Sequence, residues 1–205
     1  MCNLYRMTRS VDEVAALFDA EIGQVGNAGG EIFPGYPAMV VAEGRVRSMV
    51  WGFPFATRGK SGKMLKPRPV NNARTDKLAG GFWKPSFVAR RCLIPVDAFA
   101  EAEGPKGAKT RTWFADPGGD LLALAGIWRR SDEWGEVFSM VMTGANETVA
   151  PVHDRMPVIL PGDARGVWLE GTPDEAFALC RPFPGDLARD ATRDPWVQRK
   201  EAGAG

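Results

Sequence analysis

The chain has 205 residues, 44% of them hydrophobic, with 26 Lys and Arg against 25 Asp and Glu and a formal net charge of +1. That length and composition suit one soluble globular domain with its own core and exclude a disordered chain. Three widely spaced cysteines without a CxxC pair, and a single histidine, His153, exclude a disulfide framework and a multi-histidine metal centre.

In chain order, Ser10 followed by Glu13, ahead of helically spaced apolar residues, predicts a capping box and a short amphipathic helix over 10–20. Residues 27–37 are rich in Gly and Pro and read as loop. Residues 38–53 read as a hairpin turning at Glu43-Gly44, and 57–73 as a long polar, basic loop of the kind that carries function. RRCLIPVDAFAEA reads as a buried strand passing into a bend. TRTWFADPGGDLLALAGIWRR reads as a hairpin with PGGD as its turn. VFSMVMTGAN and MPVILP read as strands, and GDARGVWLE and TPDEAFALC as short helices, each with an acid at its start. The expected fold class is α+β: a compact single domain over 1–198 with an antiparallel, barrel-like β-sheet core and peripheral short helices, and a disordered tail over 199–205.

The first residues lack an apolar h-region, and the longest apolar run, Leu121 to Trp128, is too short for a bilayer. A cytoplasmic protein with no membrane partner is expected. From Gly44 to Thr75 there is no acid, while Arg45, Arg47, Arg58, Lys60, Lys63, Lys66, Arg68 and Arg74 all fall there. Such a run is either a solvated charged loop or a local surface for phosphates.

Four places combine polar groups with unusual surroundings. Cys2 follows the initiator methionine, and trimming of Met1 would leave one residue carrying both a free α-amine and a thiol, a 1,2-aminothiol that reacts with aldehydes. The alternative is an ordinary small residue near a mobile end. Asn71 and Asn72, in VNNARTD, are either site amides or Asx turns. Glu101 is a carboxylate among small and apolar residues, or surface polarity at a strand end. His153, in VHDRMPV, is an acid/base group or a structural histidine. Beside it, Arg155 is a phosphate ligand or pairs with Asp154.

From MC through NNARTD, RRCLIP, AFAEA and VHDRMPV to the tryptophan-containing tail, these motifs occur in an order and spacing that resembles the SOS-response-associated peptidase, or abasic-site-processing, family. The resemblance implies a compact α+β fold, binding of single-stranded DNA that contains an abasic site, and a covalent crosslink from the N-terminal cysteine. It makes Cys2 the crosslinking residue, Asn72 the active-site amide, Glu101 the carboxylate, His153 the histidine and Arg74 a phosphate contact. Autopeptidase and lyase character, replication-fork partners, association with the nucleoid on damage and a monomeric state are further expectations, with no cofactor and no metal. The family commonly opens M-C-G-R, whereas Asn3 and Leu4 stand here, and its carboxylate motif commonly ends in Glu-Trp, whereas Ala102 follows Glu101.

The chemistry holds on elementary grounds. An amine adds to an aldehyde only when neutral, and at pH 7.5 roughly a third of an α-amine is neutral against roughly one lysine in a thousand. The resulting imine would be captured by the thiol of the same residue, closing a thiazolidine. His153 can pass a proton to the opening sugar ring and Glu101 can trade protons with the amine and imine. Trp51, Phe53 and Trp83 are candidate base-stacking surfaces as well as candidate core residues. Two other functions fit the same residues: a cysteine peptidase with Cys2 as nucleophile and His153 as base, and a non-covalent DNA-binding module.

Overall fold

The structure is a computed structural model that describes residues 2–26 and 29–196. The expected tail over 199–205 lies outside the described residues.

The chain enters through β1 (Leu4–Met7). Ser10 then opens α1 (Val11–Leu17) with both halves of the expected capping box: Glu13 N–H donates to the Ser10 hydroxyl at 3.2 Å, and Ser10 N–H donates to the Glu13 carboxylate at 2.8 Å. β2 (Glu21–Ile22) follows, then β3 (Gly30–Ile32) inside the stretch read as loop. β3 is short and rich in Gly, and only its pairing with β1 makes it a strand. The predicted hairpin is β4 (Pro37–Ala42) and β5 (Arg45–Trp51), with Glu43 and Gly44 both at positive φ, 52° and 69°, as a twist-matched two-residue turn requires.

β6 (Phe53–Phe55) and β7 (Arg68–Val70) form a two-stranded ribbon, and residues 56–67 project from it as an arm. β8 (Asn72–Arg74) follows at once, then α2 (Lys84–Ala89), β9 (Arg91–Val96) and β10 (Ala98–Glu103). The remaining elements are β11 (Thr110–Ala115), β12 (Leu122–Ser131), β13 (Gly135–Gly144), β14 (Arg155–Pro157), α3 (Ala164–Glu170), α4 (Pro173–Ala178) and β15 (Ala188–Pro195). No helix among the described residues is long and apolar enough to cross a membrane.

β4, β5, β13, β12 and β9 close into a five-stranded barrel; all neighbours run antiparallel except β5 and β13, which are parallel where Val50 faces Val137. A second five-stranded sheet, in the order β15-β11-β10-β1-β3, packs against it, and β9 runs into β10 through Asp97. The fold class is therefore α+β, as expected. Tyr5 of the sheet and Trp51 of the barrel meet edge to face at 4.9 Å in the shared core.

One expectation is corrected. The segment over 110–130 does turn at PGGD, where the Asp116 carboxylate accepts the Gly118 N–H at 2.8 Å, but its two strands are not a hairpin. β11 pairs with β10 and β15, whereas β12 pairs with β9 and β13. Both strands are buried on both faces, so each is satisfied only by joining a covered sheet, and the turn carries the chain between the two.

Candidate active site

The site forms where β13 changes neighbours. Over its first half β13 is flanked by β12 and β5; beyond Met140 these leave, and β8 and β14 take their places, Asn72 to Arg74 facing Met140 to Met142 and Arg155 facing Gly144. The two motifs NNARTD and VHDRMPV, distant in sequence, are thereby laid on either side of one strand. Gly52 makes the approach possible: at φ 121°, its absent Cβ would fall 2.3 Å from Pro69 Cβ, so only glycine lets β7 run this close and deliver Asn71.

Cys2 is fully buried. Its carbonyl oxygen accepts from Asn72 Nδ2 at 2.8 Å and Asn71 Nδ2 at 3.0 Å, and its thiol lies 3.5 Å from the Leu4 carbonyl oxygen. Burial, then the Glu101 carboxylate, push the thiol well above its ordinary pKa. Asn72 is 7% exposed, and its Oδ1 has no hydrogen-bond partner among the described residues. The buried Tyr5 hydroxyl is in the same position, and burial with the nearby Cys2 holds it protonated.

Glu101 is on β10, on the face that looks into the shared core, and is 2% exposed. Burial pushes its carboxyl up to about 7, more than neighbouring positive charge pulls it down. His153 ends the tight turn between β13 and β14, its N–H donating to the Val149 carbonyl at 3.0 Å. Its Nδ1 accepts the Arg155 N–H at 3.0 Å and lies 3.1 Å from Asp154 Oδ1. Burial lowers the pKa of the imidazole and so favours its neutral form. Cys2, Asn72, Glu101 and His153 come from four separate segments; Asn72 is hydrogen-bonded to Cys2, the charge of Glu101 acts on the Cys2 thiol, and the turn carrying His153 adds Asp154, whose charge acts on Glu101.

Of the candidate phosphate ligands, Arg74 and Arg155 border this site. Asp76 sits between them, bound by Arg74 through two contacts of 2.9 and 2.6 Å and 3.9 Å from Arg155. Arg58, Lys60, Lys63, Lys66 and Arg68 are all exposed on the β6–β7 arm, which leads straight into Asn71, and none forms an ion pair among the described residues. Arg45 and Arg47 are elsewhere. Arg45 precedes Val50 by five positions and Asn72 faces Met140, three positions past Val137. At roughly 3.3 Å per residue that separates Arg45 from Asn72 by about 25 Å. Both arginines are held in ion pairs, Arg45 with Glu21 at 3.0 Å, and Arg47 with Glu43 and, at 3.4 Å, Glu136.

Trp51, Phe53 and Trp83 are core residues, at most 8% exposed, and present no stacking surface. The exposed aromatics near the arm are Tyr36 and Phe55. Asn71, singled out beside Asn72 in VNNARTD, reaches Cys2 as well, whereas sequence reasoning passed over Asp76, Tyr5 and Lys109, whose charge reaches both Glu101 and His153. Adjacent asparagines were the one available signal; a lysine in a Gly-Pro loop carries none. Among the described residues no three His, Cys, Asp or Glu side chains converge to hold a metal ion.

Known proteins resemble this chain in sequence and in fold. YoqW of Bacillus subtilis, an abasic site processing protein, is 32% identical over 158 residues that span 69% of this chain and 66% of YoqW, just under two thirds of its length. YoaM of the same organism, likewise an abasic site processing protein, is 29% identical over 91% of this chain and 88% of its own. Crystal structures of a Bacteroides thetaiotaomicron protein (TM-score 0.77, 19% identity, covering 93% of this chain and 91% of that one) and a Bordetella bronchiseptica protein (TM-score 0.78, 23% identity, 93% and 99%) share the fold. Residues 1–193 match the sequence pattern of the SOS response associated peptidases, and the chain belongs to that SRAP family.

Proposed function

We propose that the protein captures abasic sites in single-stranded DNA, closing a thiazolidine between Cys2 and the sugar aldehyde and so shielding the lesion. The observation that carries this is an N-terminal cysteine gripped inside the protein by two asparagine amides, beside a carboxyl that titrates near pH 7. The abasic site processing activity in the names of YoqW and YoaM supports it.

Removal of Met1 frees the α-amine. The neutral amine adds to the ring-opened aldehyde, and the carbinolamine loses water with a proton delivered by Glu101, which is half protonated near pH 7. The Cys2 thiol then adds to the imine carbon, its proton passing to the imine nitrogen by way of the Glu101 carboxylate. One aldehyde and one aminothiol give one thiazolidine and one water. Neutral His153 takes the proton of the anomeric hydroxyl and returns it to the sugar ring oxygen as the aldehyde opens, and Asn72 Oδ1 accepts a hydrogen bond from the amine or a sugar hydroxyl. Arg74, Arg155 and the cations of the arm neutralise phosphates, with Tyr36 and Phe55 as stacking surfaces. The reaction belongs in the cytoplasm, at the nucleoid when DNA is damaged.

A Cys–His peptidase is the second reading. It needs a thiolate at the outset, and burial opposes that ionisation in Cys2. Aldehyde capture starts at the amine and needs the thiol only after the imine has formed.

Intact mass before and after incubation with a single-stranded oligonucleotide bearing one abasic site tests this. The expected result is loss of Met1 and a gain of the oligonucleotide minus one water, absent in Cys2→Ala. Loss of Met1 without an adduct leaves the peptidase or the non-covalent reading; retention of Met1 ends the aldehyde mechanism.

A further inference from the structure

We propose that Asn71 and Asn3 form a positioning pair that orients Cys2 for ring closure, a role additional to that of Asn72; it rests on the reading above that Cys2 is the reacting residue.

Consecutive strand residues point to opposite faces, yet Asn71 and Asn72 reach the same carbonyl oxygen. They do so because Asn71 is a break between β7 and β8. Its backbone is anchored by the barrel: its carbonyl oxygen accepts from Trp51 Nε1 at 3.0 Å and from Met140 N–H at 2.9 Å. The donors of its side chain are then fully committed. The amide nitrogen has two protons, one donated to Cys2 O and the other to Asn3 Oδ1, each at 3.0 Å. With Asn72, both lone pairs of the Cys2 carbonyl are used.

The geometric consequence falls on Cys2. Its carbonyl is pinned by two amides, its thiol by the Leu4 carbonyl, and the next side chain along is tied to the same Asn71. With both ends of the residue held, Cα and the amine it bears have one place to be. A 1,2-aminothiol needs this, since the amine must meet the aldehyde and the thiol must then meet the same carbon. Asn3 is also one of the positions at which this chain departs from the family's usual opening, and Asn71 is where the departure finds its partner. Asn3 is exposed, so its bond competes with water and serves orientation more than stability.

The test compares wild type, Asn71→Ala, Asn71→Asp, Asn3→Ala and the double variant Asn3→Ala/Asn71→Ala. Three quantities are read: the adduct-forming rate at saturating abasic oligonucleotide, the affinity for that oligonucleotide, and the iodoacetamide alkylation of Cys2 relative to the equally buried Cys92, by peptide mass. The expected outcome is a fall in rate of about 10-fold for either alanine variant, with affinity unchanged. Asn71→Asp, which cannot donate, matches Asn71→Ala. The double variant is no slower than Asn71→Ala alone, and Cys2 alkylates faster relative to Cys92. An unchanged rate, a loss of affinity alone, or effects of Asn3→Ala and Asn71→Ala that multiply would overturn the pair. Asn3→Ala alters an exposed side chain and reports even if the Asn71 variants fold poorly. Absence of any adduct with wild type would condemn the functional reading instead. The alkylation ratio then decides the pair, an unchanged ratio overturning it.

Discussion

β13 joins two polar regions of the barrel that settle their charges differently. At its start Arg47 lies against Glu43 and Glu136, Arg130 approaches Glu136 at 3.6 Å, and Arg45 meets Glu21 at the neighbouring hairpin tip. At its other end Glu101 and His153 are both displaced toward their neutral forms by burial, and Asn72 and Tyr5 each keep a buried polar atom without a hydrogen-bond partner among the described residues. The first region is a set of ion pairs near water, each of small worth. The second holds polar groups under desolvation, an arrangement that costs stability and suits proton transfer near pH 7. One acid-free run of sequence feeds both ends. Its first two arginines are neutralised at the hairpin tip, the next five cations stand on the arm, and Arg74 borders the site.

Four experiments break or sharpen that contrast. The largest effect is expected from Cys2→Ala, which removes the reacting thiol: the detergent-stable adduct with abasic DNA disappears on a denaturing gel, while non-covalent binding in a shift assay is retained. Next, Glu101→Gln slows adduct formation by about 10²- to 10⁴-fold, the usual worth of a positioned acid or base. The same variant reads the desolvation directly. With the folded pKa raised to about 7 and the unfolded one near 4.3, the folded state holds more protons between these values. Wild-type stability therefore falls as pH rises from about 4.3 to 7. Urea melts should show wild type losing on the order of 2 kcal/mol between pH 5 and pH 8, a loss absent in Glu101→Gln. A flat wild-type profile would place Glu101 with the ordinary surface acids.

Replacing Arg58, Lys60, Lys63, Lys66 and Arg68 by serine lowers the slope of log affinity for single-stranded DNA against log salt by about 3.5, at roughly 0.7 per phosphate contact, as titrations at several salt concentrations would measure. The smallest effect is at the hairpin tip. Arg45→Gln leaves DNA affinity and adduct rate unchanged and costs about 0.2–1 kcal/mol in thermal unfolding. A change in DNA affinity as large as that of the arm variant would mean that both ends of β13 face the nucleic acid.

Elements with a local cause were legible in the sequence. The capping box at Ser10 and Glu13 and the Glu43-Gly44 turn are made by residues within four positions of each other, so their chemistry is complete in a short window. The NNARTD and VHDRMPV motifs pointed to Asn72, Arg74, His153 and Arg155, because polar residues next to buried strands stand out. Other elements have no such cause. β15, ARDATRDP, carries almost no apolar residue and is a strand only because β11 offers it a ladder. The split of β11 from β12 between two sheets, and the burial of Trp51, Phe53 and Trp83, depend on which covered surfaces lie nearby.

By itself, then, the sequence determined the inventory: an N-terminal Cys2, a single histidine, a carboxylate in an apolar strand, an asparagine pair and an acid-free basic run, on an α+β chain. Tertiary structure alone decided their environments. It brought Cys2 against Asn71 and Asn72, some 70 residues away, and buried Glu101 until its carboxyl titrates near neutrality. It also parted Arg45 and Arg47 from the cations that follow them. The reason is physical: identity is local, whereas desolvation and the direction of a hydrogen bond depend on what the rest of the chain places alongside.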